Sequence, residues 1–242
     1  EFRDNTQTCL MEVTGGSFSA KSFSPSEFAS SFKVMQQGND TYYGSSMADI
    51  ILDGLDGGDD IVFGYGGDDY ILGSRGNNRI NGGAGNDTIN YDRASSDPVN
   101  ATMGVILDAA KGTARNPWGG TDQISNIETF FGCLFADKFK GGGSDETFDG
   151  VEGNDRMTGR GGADTFIFSA MGSKNFDTIT DFGNGADVVR FAGPTGINDF
   201  ATLQSHMEDV NGNVVITLDA NNKLTLLGTT VAELGESDFL FI

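Results

Sequence analysis

Residues 82–90 read GGAGNDTIN, and this nine-residue stretch decides the fold. Moving toward the N-terminus nine residues at a time gives GSRGNNRIN (73–81), GYGGDDYIL (64–72) and LDGGDDIVF (55–63). A two-residue insertion, Asp53-Gly54, separates these from GSSMADIIL (44–52) and MQQGNDTYY (35–43). A second block runs GCLFADKFK (132–140), GGGSDETFD (141–149), GVEGNDRMT (150–158) and GRGGADTFI (159–167). The shared pattern is GGxGxDxUx, with U a large apolar residue, so the chain carries an internal repeat of nine residues.

The period dictates a shape. The first six residues of each unit, rich in Gly and ending in Asp, form a turn with unusual backbone angles. The last three form a short strand whose U residue points inward: Tyr42, Ile51, Val62, Ile71, Ile80 and Ile89, then Phe139, Phe148, Met157 and Phe166. Two units make one rung of a flattened helix, and rungs stack at roughly 4.8 Å. The turns then fall into two columns. One carries Asp40, Asp60 and Asn78, the other Asp49, Asp69 and Asp87; in the second block Asp137 stacks with Asp155 and Glu146 with Asp164. The insertion moves both columns equally and keeps the register.

Stacked carboxylates about 5 Å apart repel unless a cation lies between them. Oxygen ligands from Asp and turn carbonyls select a hard ion, and about six oxygens per pair of turns suit Ca²⁺ better than Mg²⁺. Composition agrees. Of the 35 acidic residues in the 242-residue chain, 26 are Asp and 9 are Glu, which is turn chemistry rather than helix surface. Against 15 basic residues the net charge is −20, which excludes an electrostatic nucleic-acid binder. No run of 18 apolar residues exists to span a membrane. The one histidine, His206, rules out an HExxH zinc site, and neither a GxSxG elbow nor a phosphate loop occurs. Cys9 and Cys133 are either two unrelated thiols or a bridge.

These units resemble those of RTX proteins. The resemblance implies an all-β chain: a right-handed parallel β-roll with short capping helices, a C-terminal β cap, and roughly four to seven Ca²⁺ ions held between turns. It implies ligands from the sixth-position side chains of Asp40, Asp49, Asp60, Asp69, Asn78, Asp87, Asp137, Glu146, Asp155 and Asp164. Carbonyls at the second and fourth positions would add to them, at Gly38, Gly58, Gly67, Gly76, Gly83, Gly85, Gly153 and Gly162. Sites that use neutral Asn78 or the longer Glu146 are expected to be weaker or absent.

Around the repeats the expectations are coarser. Residues 1–34 are assigned to an N-terminal segment and capping helix, 35–168 to the roll, and 169–242 to a C-terminal cap and secretion region. Ser24-Pro25-Ser26-Glu27 is a capping-box pattern that opens a helix over 24–36. Residues 91–131 read as linking rungs, with Val105, Leu107, Ile124 and Ile127 in the apolar stack and Pro98, Pro117 and Trp118 in an outward loop, or as an inserted hairpin. Phe200, Leu203, Met207 and Val210 place a helix over 199–210, followed by a hairpin of 213–218 and 223–228. The ending Asp238-Phe239-Leu240-Phe241-Ile242 resembles the uncleaved type I secretion signal of RTX proteins, or forms a terminal strand on the cap. The opening residues show no basic-then-apolar leader, which fits that route.

Three functions follow from this reading. The first is a secreted, extracellular calcium-binding module that meets a type I exporter and folds outside the cell. The second is a polysaccharide- or surface-binding module using Trp118 and Tyr91. The third, an enzyme, is disfavoured: about 60 residues of N-terminal and linking sequence are too few for a catalytic domain beside the roll.

Overall fold

The structure is a computed structural model and describes residues 2–3, 9–10, 38–52, 57–92, 101–170, 174–183, 185–193 and 195–241. The expected helix over 24–36 lies outside them. Strands β1 (Phe2–Arg3) and β2 (Cys9–Leu10) form a separate antiparallel pair. The first repeat block gives β3 (Thr41–Tyr43), β4 (Ile50–Leu52), β5 (Ile61–Phe63), β6 (Tyr70–Leu72), β7 (Arg79–Asn81) and β8 (Thr88–Asn90). Each is three residues long, as the repeat dictates. Alternate strands join opposite sheets, and all pairing within the block is parallel. Across the insertion Tyr42 still pairs with Val62 and Ile51 with Ile71, so the register survives.

The linking region contains β9 (Ile106–Asp108), β10 (Thr113–Arg115), β11 (Thr121–Ser125) and β12 (Thr129–Cys133). Both readings of it hold in part. Strands β11 and β12 are a regular rung, parallel to β7 and β8. Strands β9 and β10 form an antiparallel meander with β11, inserted within one sheet instead of bulging from it. Val105, Leu107, Ile124 and Ile127 are buried as expected, but Pro117 is buried too and Trp118 packs on the core. The outward loop is therefore corrected at those two residues; Pro98 lies outside the described residues.

The second block supplies β13 (Lys138–Lys140), β14 (Thr147–Val151), β15 (Arg156–Thr158) and β16 (Thr165–Ser169). The roll does not stop at residue 168. Strands β17 (Asn175–Ile179) and β18 (Val188–Ala192) add another rung, and β21 (Asn222–Leu227) and β22 (Phe239–Phe241) a last one. Between them α1 (Phe200–Gln204), β19 (Met207–Val210) and β20 (Asn213–Thr217) cover the end. The helix expected over 199–210 is thus only five residues long. Asp199 caps it through Thr202 N at 2.7 Å, but Met207 and Val210 belong to a strand, because pairing with β20 satisfies more backbone than a solitary extra turn would. The hairpin after it is present.

Nine of the ten U residues are buried, and Tyr42, partly buried, packs against them from β3. Phe148 sits at the centre, its ring 5.6 Å from Phe130 and 5.8 Å from both Phe139 and Phe166. Phe148→Ala is expected to cost about 3–5 kcal/mol of stability in saturating calcium, read by denaturant unfolding.

Candidate metal centres

Every repeat delivers its sixth residue to one place, the exit of the turn just before the strand. There a ladder forms. One carboxylate oxygen accepts the backbone N–H of the sixth residue one rung earlier: Asp40 N to Asp60 Oδ1 at 2.7 Å, Asp49 N to Asp69 Oδ1 at 2.8 Å, and Asp69 N to Asp87 Oδ1 at 2.8 Å. In the second block Asp137 N donates to Asp155 Oδ1 at 2.8 Å and Glu146 N to Asp164 Oδ1 at 2.9 Å. The other oxygen folds back over the first-position glycine. A Cβ on Gly64, Gly82, Gly132, Gly150 or Gly159 would overlap the acid five residues on, which is why these turns begin with glycine.

These second oxygens define the site. Asp69, Asp87, Asp155 and Asp164 Oδ2 and Glu146 Oε2 are all buried without a hydrogen-bond partner. A buried anionic oxygen with no donor is costly unless a cation reaches it. Fourth-position carbonyls point the same way along the column: a Cβ on Gly58, Gly76 or Gly85 would strike the carbonyl oxygen of Gly38, Gly58 or Gly67 in the rung before. Gly38, Gly67, Gly76, Gly85, Gly153 and Gly162 hold positive φ, as does second-position Gly83. The donor set is all oxygen, with several carboxylates per column, and fits calcium.

Two deviant units behave differently from one another. Glu146 keeps the unpartnered oxygen, Oε2, but its Oε1 accepts Gly142 N of its own turn at 3.1 Å. Asn78 turns its amide into the site instead: Nδ2 donates to Ser74 Oγ and the Arg75 carbonyl, both at 3.3 Å, and to Asp122 Oδ1 at 3.0 Å.

The columns also run beyond the sequence motif. Asn78 N donates to Asp122 Oδ1 at 2.9 Å, Asp87 N to Glu128 Oε2 at 2.8 Å, Asp155 N to Asp177 Oδ1 at 2.9 Å, and Asp164 N to Asp187 Oδ1 at 3.1 Å. These four acids sit in units that depart from the glycine pattern: Gly120, Gly183 and Gly185 survive at motif positions around Asp122 and Asp187, whereas residues 123–131 around Glu128 hold no glycine. Each nevertheless keeps the acid–x–apolar spacing, to Ile124, Phe130, Ile179 and Val189, and that spacing is the signal that identifies them. A second ladder was hidden in the fifth position. Asn39, Asp59, Asp68 and Asp145 accept the amide one rung later, at 2.7–2.9 Å, in the opposite direction to the sixth-position bonds.

The tail is a strand. Phe239 is buried with Phe182, Phe191 and Phe200 within 6.5 Å, Asp238 Oδ2 accepts Gly235 N at 2.7 Å, and Leu240 is exposed. Ile242 lies outside the described residues. Cys133 is a free, buried thiol, so it forms no bridge.

Burial raises the carboxyl pKa of Asp69 to about 6 and of Asp137 to about 7, well above the usual value near 4. A raised folded-state pKa means that folding takes up protons, so this contribution to stability is present at low pH and is lost as pH rises from about 4 to about 7. Calcium-free protein is therefore expected to gain structure on acidification from pH 8 to pH 5, while calcium affinity falls over the same range; circular dichroism and calcium titration measure both. Asp69→Asn keeps an oxygen for Asp49 N but removes the charge, and should weaken calcium binding on the order of tenfold. Asn78→Asp should not weaken it, as isothermal titration of the two variants will report.

A family model of the RTX calcium-binding nonapeptide repeat matches residues 54–89 and 140–170, in four copies. Among solved structures, the extracellular lipase LipA from Serratia marcescens is similar at 20% identity over 86% of this chain, with a TM-score of 0.37. The chain spans only 40% of that lipase. No curated protein matches it. Turn geometry, unpartnered carboxylate oxygens and the matched family model lead to one conclusion: the chain carries RTX calcium-binding nonapeptide repeats, stacked as a parallel β-roll.

Proposed function

We propose that this chain is a non-catalytic folding module, held open where calcium is scarce and closed into a roll by calcium outside the cell after type I export. The observation that carries the proposal is the set of buried carboxylate oxygens without donors in both repeat blocks. At −20 the metal-free chain resists compaction, and a ligand that binds only the folded form supplies the missing stability. Extracellular calcium modules bind at roughly 10⁻⁴–10⁻³ M, which leaves the chain open in a cytosol and folded outside. In EGTA the repeats should lose their β-structure and regain it in millimolar calcium; full native ellipticity in EGTA would sink this reading. Export is tested separately. Leu240 is exposed, so Leu240→Ser leaves the fold intact and, if the tail is read by an exporter, lowers secretion in a type I co-expression assay. Unchanged secretion removes the signal reading.

A second reading, binding of a polysaccharide or surface, has one observation in its favour. Tyr91 is buried and Trp118 packs on the core, so the residues first considered for it are unsuited. Tyr43, Phe63 and Tyr65 instead group their rings within 6.3 Å, with planes within 21°, and both tyrosines are exposed. Tyr65 stands at a second position with φ 73°, where a glycine is cheaper. Tyr65→Gly should hold or raise stability in calcium, and should abolish glycan-array binding if this surface is used.

A further inference from the structure

Among the described residues, the buried carboxylate oxygens without a partner fall in 57–92 and 138–167, and none falls in 101–133. The linking region has found another way to close. Asp122 is its one fully buried acid, and it is surrounded by donors. Oδ1 accepts Asn78 N at 2.9 Å and Asn78 Nδ2 at 3.0 Å; Oδ2 accepts the Tyr91 hydroxyl at 2.7 Å. Asn116 Nδ2 bridges both oxygens at 3.2 and 3.3 Å and reaches the Gly76 carbonyl at 2.9 Å. Carboxylates and turn carbonyls are the groups that line the candidate ion sites elsewhere in the roll. Here two amide NH₂ groups and a phenol supply the positive ends of dipoles in place of an ion. The Tyr91 ring lies against Gly73, on the spot that the second carboxylate oxygen occupies above Gly64 and Gly82.

The backbone around this cluster is equally self-sufficient. Strands β9, β10 and β11 form an antiparallel meander through short connections, so their contacts are local and form without distant loop closure. Val105, Leu107, Ala114, Ile124, Ile127 and Phe130 give it a continuous buried face. Asp108 is paired with Lys111 at 3.2 Å and Arg160 at 2.9 Å.

We infer that the seam at Asn78, Tyr91, Asn116 and Asp122 is a metal-free site in the calcium column, with Asn78 as the residue that keeps calcium out, and that residues 101–133 form a nucleus that persists without calcium and from which the two repeat blocks fold outward. The inference rests on calcium-driven folding of the repeats only for the contrast between nucleus and blocks.

Hydrogen exchange with mass-spectrometric detection on the full chain tests it. In EGTA, amides of 106–125 should exchange at least tenfold more slowly than those of 61–72 and 138–166. Uniformly fast exchange overturns the nucleus, whereas uniformly slow exchange overturns calcium-driven folding instead. Asn78→Asp sets a second carboxylate against Asp122 and removes two donors. It should abolish the protection of 106–125 in EGTA, and millimolar calcium should restore it, because an ion then fits between the two acids. Protection in EGTA that survives Asn78→Asp, or that calcium fails to restore, overturns the seam. Tyr91→Phe loses a single hydrogen bond and should reduce protection by a smaller factor, while Asp69→Asn, outside the seam, should leave it unchanged.

Discussion

A carboxylate with one oxygen on a backbone amide and the other buried without a donor can be neutralised in only two ways, by a proton or by a metal ion. Most of this molecule follows from that constraint. The amide bond fixes the side chain, the fixed side chain forces glycine at the first turn position, and glycine lets successive turns approach to strand spacing. Neutralisation by protons and by calcium are then competing solutions to one electrostatic problem. At Asp69 the carboxyl group that burial makes hard to ionise also keeps an oxygen without a donor, so proton and ion compete there directly.

The apolar core cannot relieve this dependence. Each three-residue repeat strand contributes a single inward side chain, and the interior there is a narrow file of Ile, Val, Met and Phe between two sheets. So thin a core buries little surface per residue ordered, and the self-repulsion of a strongly acidic chain opposes it. The end of the roll differs. There β18 and β22 carry several apolar residues each, and Phe182, Phe191, Phe200, Phe239 and Phe241 make a cluster of rings that needs no ion. Stability is therefore distributed unevenly along the stack, metal-dependent in the repeats and apolar at the closed end.

The roll was legible in the sequence because its repeat is strict: period two along each short strand, period nine along the chain, and a column alternation that a two-residue insertion leaves intact. The inward residues and the sixth-position acids could be assigned one by one. What escaped has physical causes. Asp122, Glu128, Asp177 and Asp187 were missed because their units depart from the full GGxGxDxUx pattern, although the ladder needs only an acid two residues before an inward side chain. Met207 and Val210 have helical spacing but sit beside a strand with free edge groups, and tertiary pairing overrode the pattern. The fifth-position ladder looked like generic turn polarity, since Asn and Asp suit an exposed turn whether or not they accept a bond.

The meander of β9 and β10 lengthens one sheet and not the other. Between β11 and β13 lie two extra strands, while β12 and β14 are direct neighbours in the opposite sheet. The surplus on one side is two strand spacings, roughly 10 Å, about the distance that separates two packed sheets. A stack that gains this much on one flank must pivot, so the meander acts as a wedge that sets the angle between the two calcium blocks. The repeat turns that begin at Gly64, Gly82, Gly141, Gly150 and Gly159 lie outside the wedge. The direction in which one block points relative to the other is thus a property that insertions and deletions can tune without rebuilding those turns.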